Sequence, residues 1–234
     1  MRPALTALLC LGMAQPALAD CSADAMLVFD GSASMAAPGL VLSDPPRIDE
    51  ARRAMARALP LVEHTRRIGL ITYGPGPEGS CDGVTFRLAP IPQAAQSILD
   101  VLQTVDPNGQ TPLTKAVARA AETLDHRNRP AVIVLVTDGD DTCDGAPCAL
   151  ADRLAGEAAD LTIHVLGFKI ADAFAIGDLQ RRPIPRAAIE AGCLADRTGG
   201  TYVLTDTVED LVAALDRTLG CLVIGALPPT RRPA

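Results

Sequence analysis

Hydrophobic positions in this chain fall into two patterns. Two runs, Ala25-Met26-Leu27-Val28-Phe29 and Ala131-Val132-Ile133-Val134-Leu135-Val136, are apolar without a break, as expected of central strands buried on both faces. Other segments carry apolar residues at helical spacing. Ile48, Ala51, Met55, Leu59 and Val62 form one such set, and Leu113, Val117, Ala120 and Leu124 another. Taken together, the patterns predict strands near 25–30, 68–73, 84–88, 131–137, 161–167 and 201–204. Helices are expected near 47–63, 92–105, 112–126 and 208–219. Strands alternating with helices are the signature of an α/β fold, a mostly parallel sheet with helices on both faces.

Local signals sharpen two helix starts. Thr111-Pro112 predicts an N-cap threonine followed by a proline in the first helical position. Thr207-x-x-Asp210 has the spacing of a capping box, ahead of Val208, Leu211, Leu215 and Leu219 on one face. After the fifth strand, Lys169–Pro185 reads as a long connection, of a length often associated with function.

Residues 1–19 read as a secretory leader: Arg2 near the amine, an apolar stretch from Ala4 to Met13, and Ala17-Leu18-Ala19 before Asp20. The apolar stretch is about ten residues, short of the roughly 18 needed to span a bilayer. The expected organisation is therefore a leader at 1–19, one domain at 20–224 and a Pro/Arg-containing tail at 225–234. The expected location is the periplasm or the medium. With the leader goes Cys10, leaving Cys21, Cys81, Cys143, Cys148, Cys193 and Cys221, an even set that in an exported chain favours disulfides. A net charge of −7 and a pI near 4.9 argue against nucleic acid or an anionic membrane as partner. With 3% aromatic residues and no Trp, a stacking platform for bases or sugars is not expected.

The chemistry concentrates at the ends of the two apolar runs. The first closes with Asp30-Gly31-Ser32-Ala33-Ser34 and the second with Thr137-Asp138-Gly139; Thr111 stands at a helix start between them. In a parallel sheet, neighbouring strands deliver their C-terminal residues to one edge, where ligands bind. Two carboxylates meeting there repel one another unless a cation joins them. This Asp-x-Ser-x-Ser, Thr, Asp-Gly series resembles the metal-ion-dependent adhesion site of von Willebrand factor type A domains. Thr142-Cys143-Asp144-Gly145-Ala146-Pro147-Cys148, Gly192-Cys193 and Thr198-Gly199-Gly200-Thr201-Tyr202 look like exported bacterial members of that family.

The resemblance implies a Rossmann-like, doubly wound, six-stranded sheet with one antiparallel edge strand. It implies metal ligation by Asp30, Ser32, Ser34, Thr111 and Asp138, with the serines direct and one or both Asp acting through water. One coordination position is left for an acidic group from a protein partner. Asp140 is expected beside the ligands as a supporting residue. Oxygen donors suit Mg²⁺ best, with Ca²⁺ or Mn²⁺ as alternatives. Two Asp and one divalent ion make a neutral site.

Competing chemistries fit less well. A phosphatase using Asp30 as nucleophile needs a general acid two residues on, where Ser32 stands. A serine hydrolase needs a nearby base, and His64, His126 and His164 fall near helix ends or inside a strand. A calcium loop starting at Asp140 has Ala151 where the bidentate Glu belongs, so Asp141 and Asp144 read as a solvated acidic turn. Among the cysteines, Cys143 and Cys148 are close enough in sequence to bridge. Cys21 and Cys221 are expected to tie the termini together, which leaves Cys81 with Cys193 by elimination.

Overall fold

Strand β1 (Asp24–Asp30) is buried at every position and sits in the middle of the sheet. The computed structural model describes residues 22–38, 43–77, 79–170 and 186–220. The expected leader, the tail at 225–234, the Cys21–Cys221 bridge and the connection after Ile170 lie outside the described residues.

The remaining strands are β2 (Ile68–Tyr73), β3 (Thr85–Ile91), β4 (Pro130–Thr137), β5 (Asp160–Phe168) and β6 (Tyr202–Thr205). They form one sheet in the order β3-β2-β1-β4-β5-β6, with only β3 antiparallel. The α/β fold with one antiparallel edge strand is as expected. The register aligns Phe29 of β1 with Val136 of β4, so Asp30 and Asp138 leave the sheet from adjacent strand ends.

Helices cover both faces. Ala25, Leu27 and Phe29 point into a core closed by α1 (Arg47–Val62), α2 (Ala95–Gln103) and α6 (Val208–Leu219). Met26 and Val28 point the other way, toward α3 (Leu113–Thr123), α4 (Pro147–Glu157) and α5 (Arg186–Arg197). This two-sided burial is why β1 and β4 carry no polar alternation. The capping box opening α6 is present, with the Thr207 hydroxyl accepting from the Asp210 amide.

Helix α4 was absent from the sequence expectation, because its inward face is only Pro147, Leu150, Ala151 and Leu154. Helix α5 was missed as well. Strand β3 runs on to Ile91 rather than stopping near 88, and Pro90 is tolerated because the strand lies at the edge. Helix α3 begins at Leu113 with Pro112 as its cap residue, so Thr111 is not the N-cap. Its backbone is engaged elsewhere: the Thr111 amide donates to Thr142 Oγ1 at 2.8 Å, and its carbonyl accepts from the Thr142 amide at 3.1 Å. The amide at the third position of Pro112-Leu113-Thr114 is met instead by Asp141, which accepts from Thr114 N at 2.7 Å.

The disulfides also depart from expectation. Cys143 bonds Cys81, and Cys148 bonds Cys193; neither Cys143–Cys148 nor Cys81–Cys193 forms. Asp141 is the local reason. Its Oδ1 accepts from the amides of Cys143 at 2.8 Å and Gly145 at 3.1 Å, curling the loop so that Cys143 faces the β2–β3 connection. Asp141 is thus a structural acceptor and not a solvated turn residue. Cys148 lies on the first turn of α4, which packs on α5 and its Cys193.

Candidate functional site

The C-terminal ends of β1 and β4 build the site. Asp30 is the last residue of β1 and fully buried. Its Oδ1 accepts from the Ser32 amide at 2.8 Å, and its Oδ2 from Tyr73 Oη at 2.9 Å and Thr137 Oγ1 at 2.8 Å. Three donors, from the turn after β1 and from β2 and β4, therefore fix one carboxylate. Burial and the nearby Asp138 charge push the Asp30 carboxyl up to about 6, against the opposing pull of the Ser32 and Thr137 hydrogen bonds. Burial, with Asp30 alongside, raises the Tyr73 phenol well above its ordinary value, so Tyr73 stays a neutral donor.

The chain turns sharply after Asp30 and enters a short 3₁₀ helix, Ala33–Ala36. The turn fits only because Gly74, at φ +107°, lets the end of β2 approach the Gly31–Ser32 backbone. The two serines are then brought together, with Ser32 Oγ and Ser34 Oγ 3.0 Å apart. Ser34 donates to Asp138 Oδ1 at 2.7 Å. Asp30, Ser32, Ser34 and Asp138 thus form one connected cluster. Ser34 is on the surface, whereas Ser32 and Asp138 are buried.

Thr111 belongs to the same rim. Its loop is tied to the serine turn by Ala33 N to Gly109 O at 3.2 Å and Asn108 N to Gly31 O at 3.1 Å. The Thr142 hydrogen bonds tie it to the loop following Asp138. Buried Thr111 therefore stands between the two acidic loops.

Three residues of the site were not anticipated. Tyr73 and Thr137 orient Asp30, and Arg47 donates from Nη1 to Asp138 Oδ2 at 2.8 Å. Arg47 is buried and opens α1. A cation in a first helical turn opposes the helix dipole, and that local mismatch was the available signal. Arg47 also changes the charge balance: the protein's own groups carry one net negative charge, not two, when both Asp are ionised.

The donor set consists of carboxylate and hydroxyl oxygens, which fit a hard divalent cation. Among the described residues, no group of three or more His, Cys, Asp or Glu side chains offers an alternative metal site. The histidines are elsewhere: buried His126 lies 3.0 Å from the Ala121 carbonyl, and His164 is mid-strand against Thr201. No helix among the described residues is long and apolar enough to cross a membrane.

Residues 25–140 match the family model of the von Willebrand factor type A domain. The chain carries such a domain, and the sheet order and flanking helices are those of its fold. The chain is 24% identical over 223 residues to the protein YwmD of Bacillus subtilis (strain 168), an alignment covering 90% of this chain and 92% of YwmD. Among solved structures, it resembles an aerotolerance-related membrane protein from Bacteroides fragilis NCTC 9343. There the TM-score is 0.59 at 20% identity, over 85% of this chain and 98% of the other. It also resembles proximal thread matrix protein 1 from the mussel byssus, in a structure with a zinc-occupied MIDAS motif. That match has a TM-score of 0.56 at 17% identity, over 86% of this chain and 46% of the other.

Proposed function

We propose that this is an exported binding module that holds a divalent cation at the rim of its sheet and uses it to capture an acidic group on a protein partner. The observation carrying this reading is the cluster itself. Ser32 and Ser34 hydroxyls lie 3.0 Å apart, and Ser34 reaches Asp138 at 2.7 Å across 104 residues of sequence. In the proposal Ser32, Ser34 and Thr111 supply hydroxyl ligands, and Asp30 and Asp138 supply the compensating charge. Asp140, one residue past Gly139, is assigned a supporting place. The cation contributes an acceptor for a carboxylate, while the protein's part is to orient five oxygen-bearing side chains before it arrives.

Mg²⁺ is the favoured ion, because all these donors are hard oxygens. The mussel protein's zinc-occupied motif supports divalent binding at a site of this kind. The Cys81–Cys143 and Cys148–Cys193 disulfides and the leader-like residues 1–19 support an oxidising destination, periplasmic or secreted. Residues 20–224 would be the mature domain and 225–234 its tail.

Hydrolysis through Asp30 is disfavoured, since that carboxylate is fully buried and accepts from three donors. Titration calorimetry with Mg²⁺, Ca²⁺, Mn²⁺ and Zn²⁺ on the wild type, Asp30→Ala and Ser34→Ala tests the reading. Ser34 is exposed, so its variant retains the fold. Loss of binding in both variants is expected; equal binding by all three proteins would mean the site is misassigned.

A further inference from the structure

Among the described residues, Arg47 is the one cationic group built into this cluster, and several features hold it there at a cost. Its amide donates to Ala37 O at 3.0 Å, and Pro38 bridges Pro46, so the end of the serine turn fixes the start of α1. Its side chain is 8% exposed and pairs with an Asp138 side chain that is 0% exposed. Buried Nε has no hydrogen-bond partner, a penalty that a neutral side chain would avoid. The acidic residues of the same helical turn are committed elsewhere, Asp49 to Arg52 at 2.8 Å and Glu50 to Lys169 at 2.5 Å. The Arg47 charge is therefore directed at Asp138.

Resting on the proposed cation site, we infer that Arg47 weakens binding of the cation alone and couples its uptake to that of an anion. With a divalent ion in place, Asp30, Asp138 and Arg47 sum to one excess positive charge in a largely buried cluster; the Asp140 carboxylate acts on Tyr202 and is not among the groups that act on Asp30. A carboxylate from the partner removes that excess. A neutral site would hold its metal more tightly and attract the anion less. Arg47 thus makes metal and acidic ligand bind best together, so that the loaded state is favoured where the partner is present.

Calorimetry at pH 8 tests this with Ca²⁺, Tb³⁺ and sodium acetate as the carboxylate probe. The proteins are the wild type, Arg47→Met and Arg47→Gln, the last keeping a donor for Asp138 while losing the charge. Both variants should bind Ca²⁺ more tightly, by roughly 10- to 100-fold for removal of a unit charge at partly screened short range. The gain for Tb³⁺ should be larger still, because repulsion scales with ion charge; a purely structural role for Arg47 would not produce that ordering. Saturating acetate should tighten Ca²⁺ binding to the wild type more than to either variant. Folded variants that bind Ca²⁺ no better than the wild type would overturn the inference and leave the metal site standing. So would a wild type whose Ca²⁺ affinity ignores acetate, a measurement that needs no variant. Absence of cation binding by all three proteins would instead remove the proposed function, and this inference with it.

Discussion

Replacing Cys81 and Cys143 together by serine removes a bridge between residues 62 apart in sequence. In the chain-entropy description, freeing the unfolded chain from a loop of that size costs about 4 kcal/mol of stability. The short Cys143–Cys148 loop expected from the sequence would contribute only about 2 kcal/mol. For a domain of this size, 1 kcal/mol moves the melting temperature by about 2–4 °C, so a fall of about 8–16 °C is expected. Urea unfolding followed by circular dichroism measures the free energy, and a non-reducing peptide map of the wild type assigns the bridges. The double variant should retain native secondary structure, because neither Cys81 nor Cys143 belongs to either hydrophobic core. A loss below about 1 kcal/mol would refute the loop-entropy argument for this bridge. A map joining Cys143 to Cys148 would refute the pairing itself.

Gly74→Ala places a Cβ against the Ser32 amide and the Gly31 carbonyl, at a φ of +107° that L residues rarely adopt. Strain and overpacking together should cost about 2–5 kcal/mol in urea unfolding, whereas Gly156→Ala, where a Cβ meets nothing within 4 Å, should cost nothing and serves as the control. His164 makes stability fall with acid: burial, aided by the Arg66 charge, lowers its pKa from 6.5 to about 4. The unfolded chain then takes up a proton that the folded one refuses, so this contribution is present above pH 6.5 and lost toward pH 4. Discounted for partial exposure, it is about 1–2 kcal/mol. Asp30, raised to about 6, acts with the opposite sign between its ordinary 3.8 and 6. The measurement is therefore the difference between wild type and His164→Ala at pH 7 and pH 4.5, and identical pH dependence in the two would refute it.

The positions of the strands along the chain, the burial of β1 and β4, and four of the six helices among the described residues were legible in the amino-acid sequence, because continuous apolar runs and 3.6-residue periodicity are local properties. The Thr207–Asp210 capping box was legible for the same reason. So was the candidate cluster, since parallel strands deliver Asp30 and Asp138 to one edge whatever the details of packing. Helix α4 was not, having too small an apolar face to stand out from the loop before it.

What the sequence by itself determined is therefore the sheet, its two covered faces and the positions of the acidic and hydroxyl residues along its rim. Tertiary structure decided the cysteine partners, the displaced start of α3 and the inward reach of Arg47, Tyr73 and Thr137. Each of these depends on which loop lies against which: Asp141 reaches α3 across 27 residues, and Arg47 reaches Asp138 across 91. Hydrogen bonds and charge pairs of that span leave no period in the chain. They form only once close packing has fixed the backbones at contact distance.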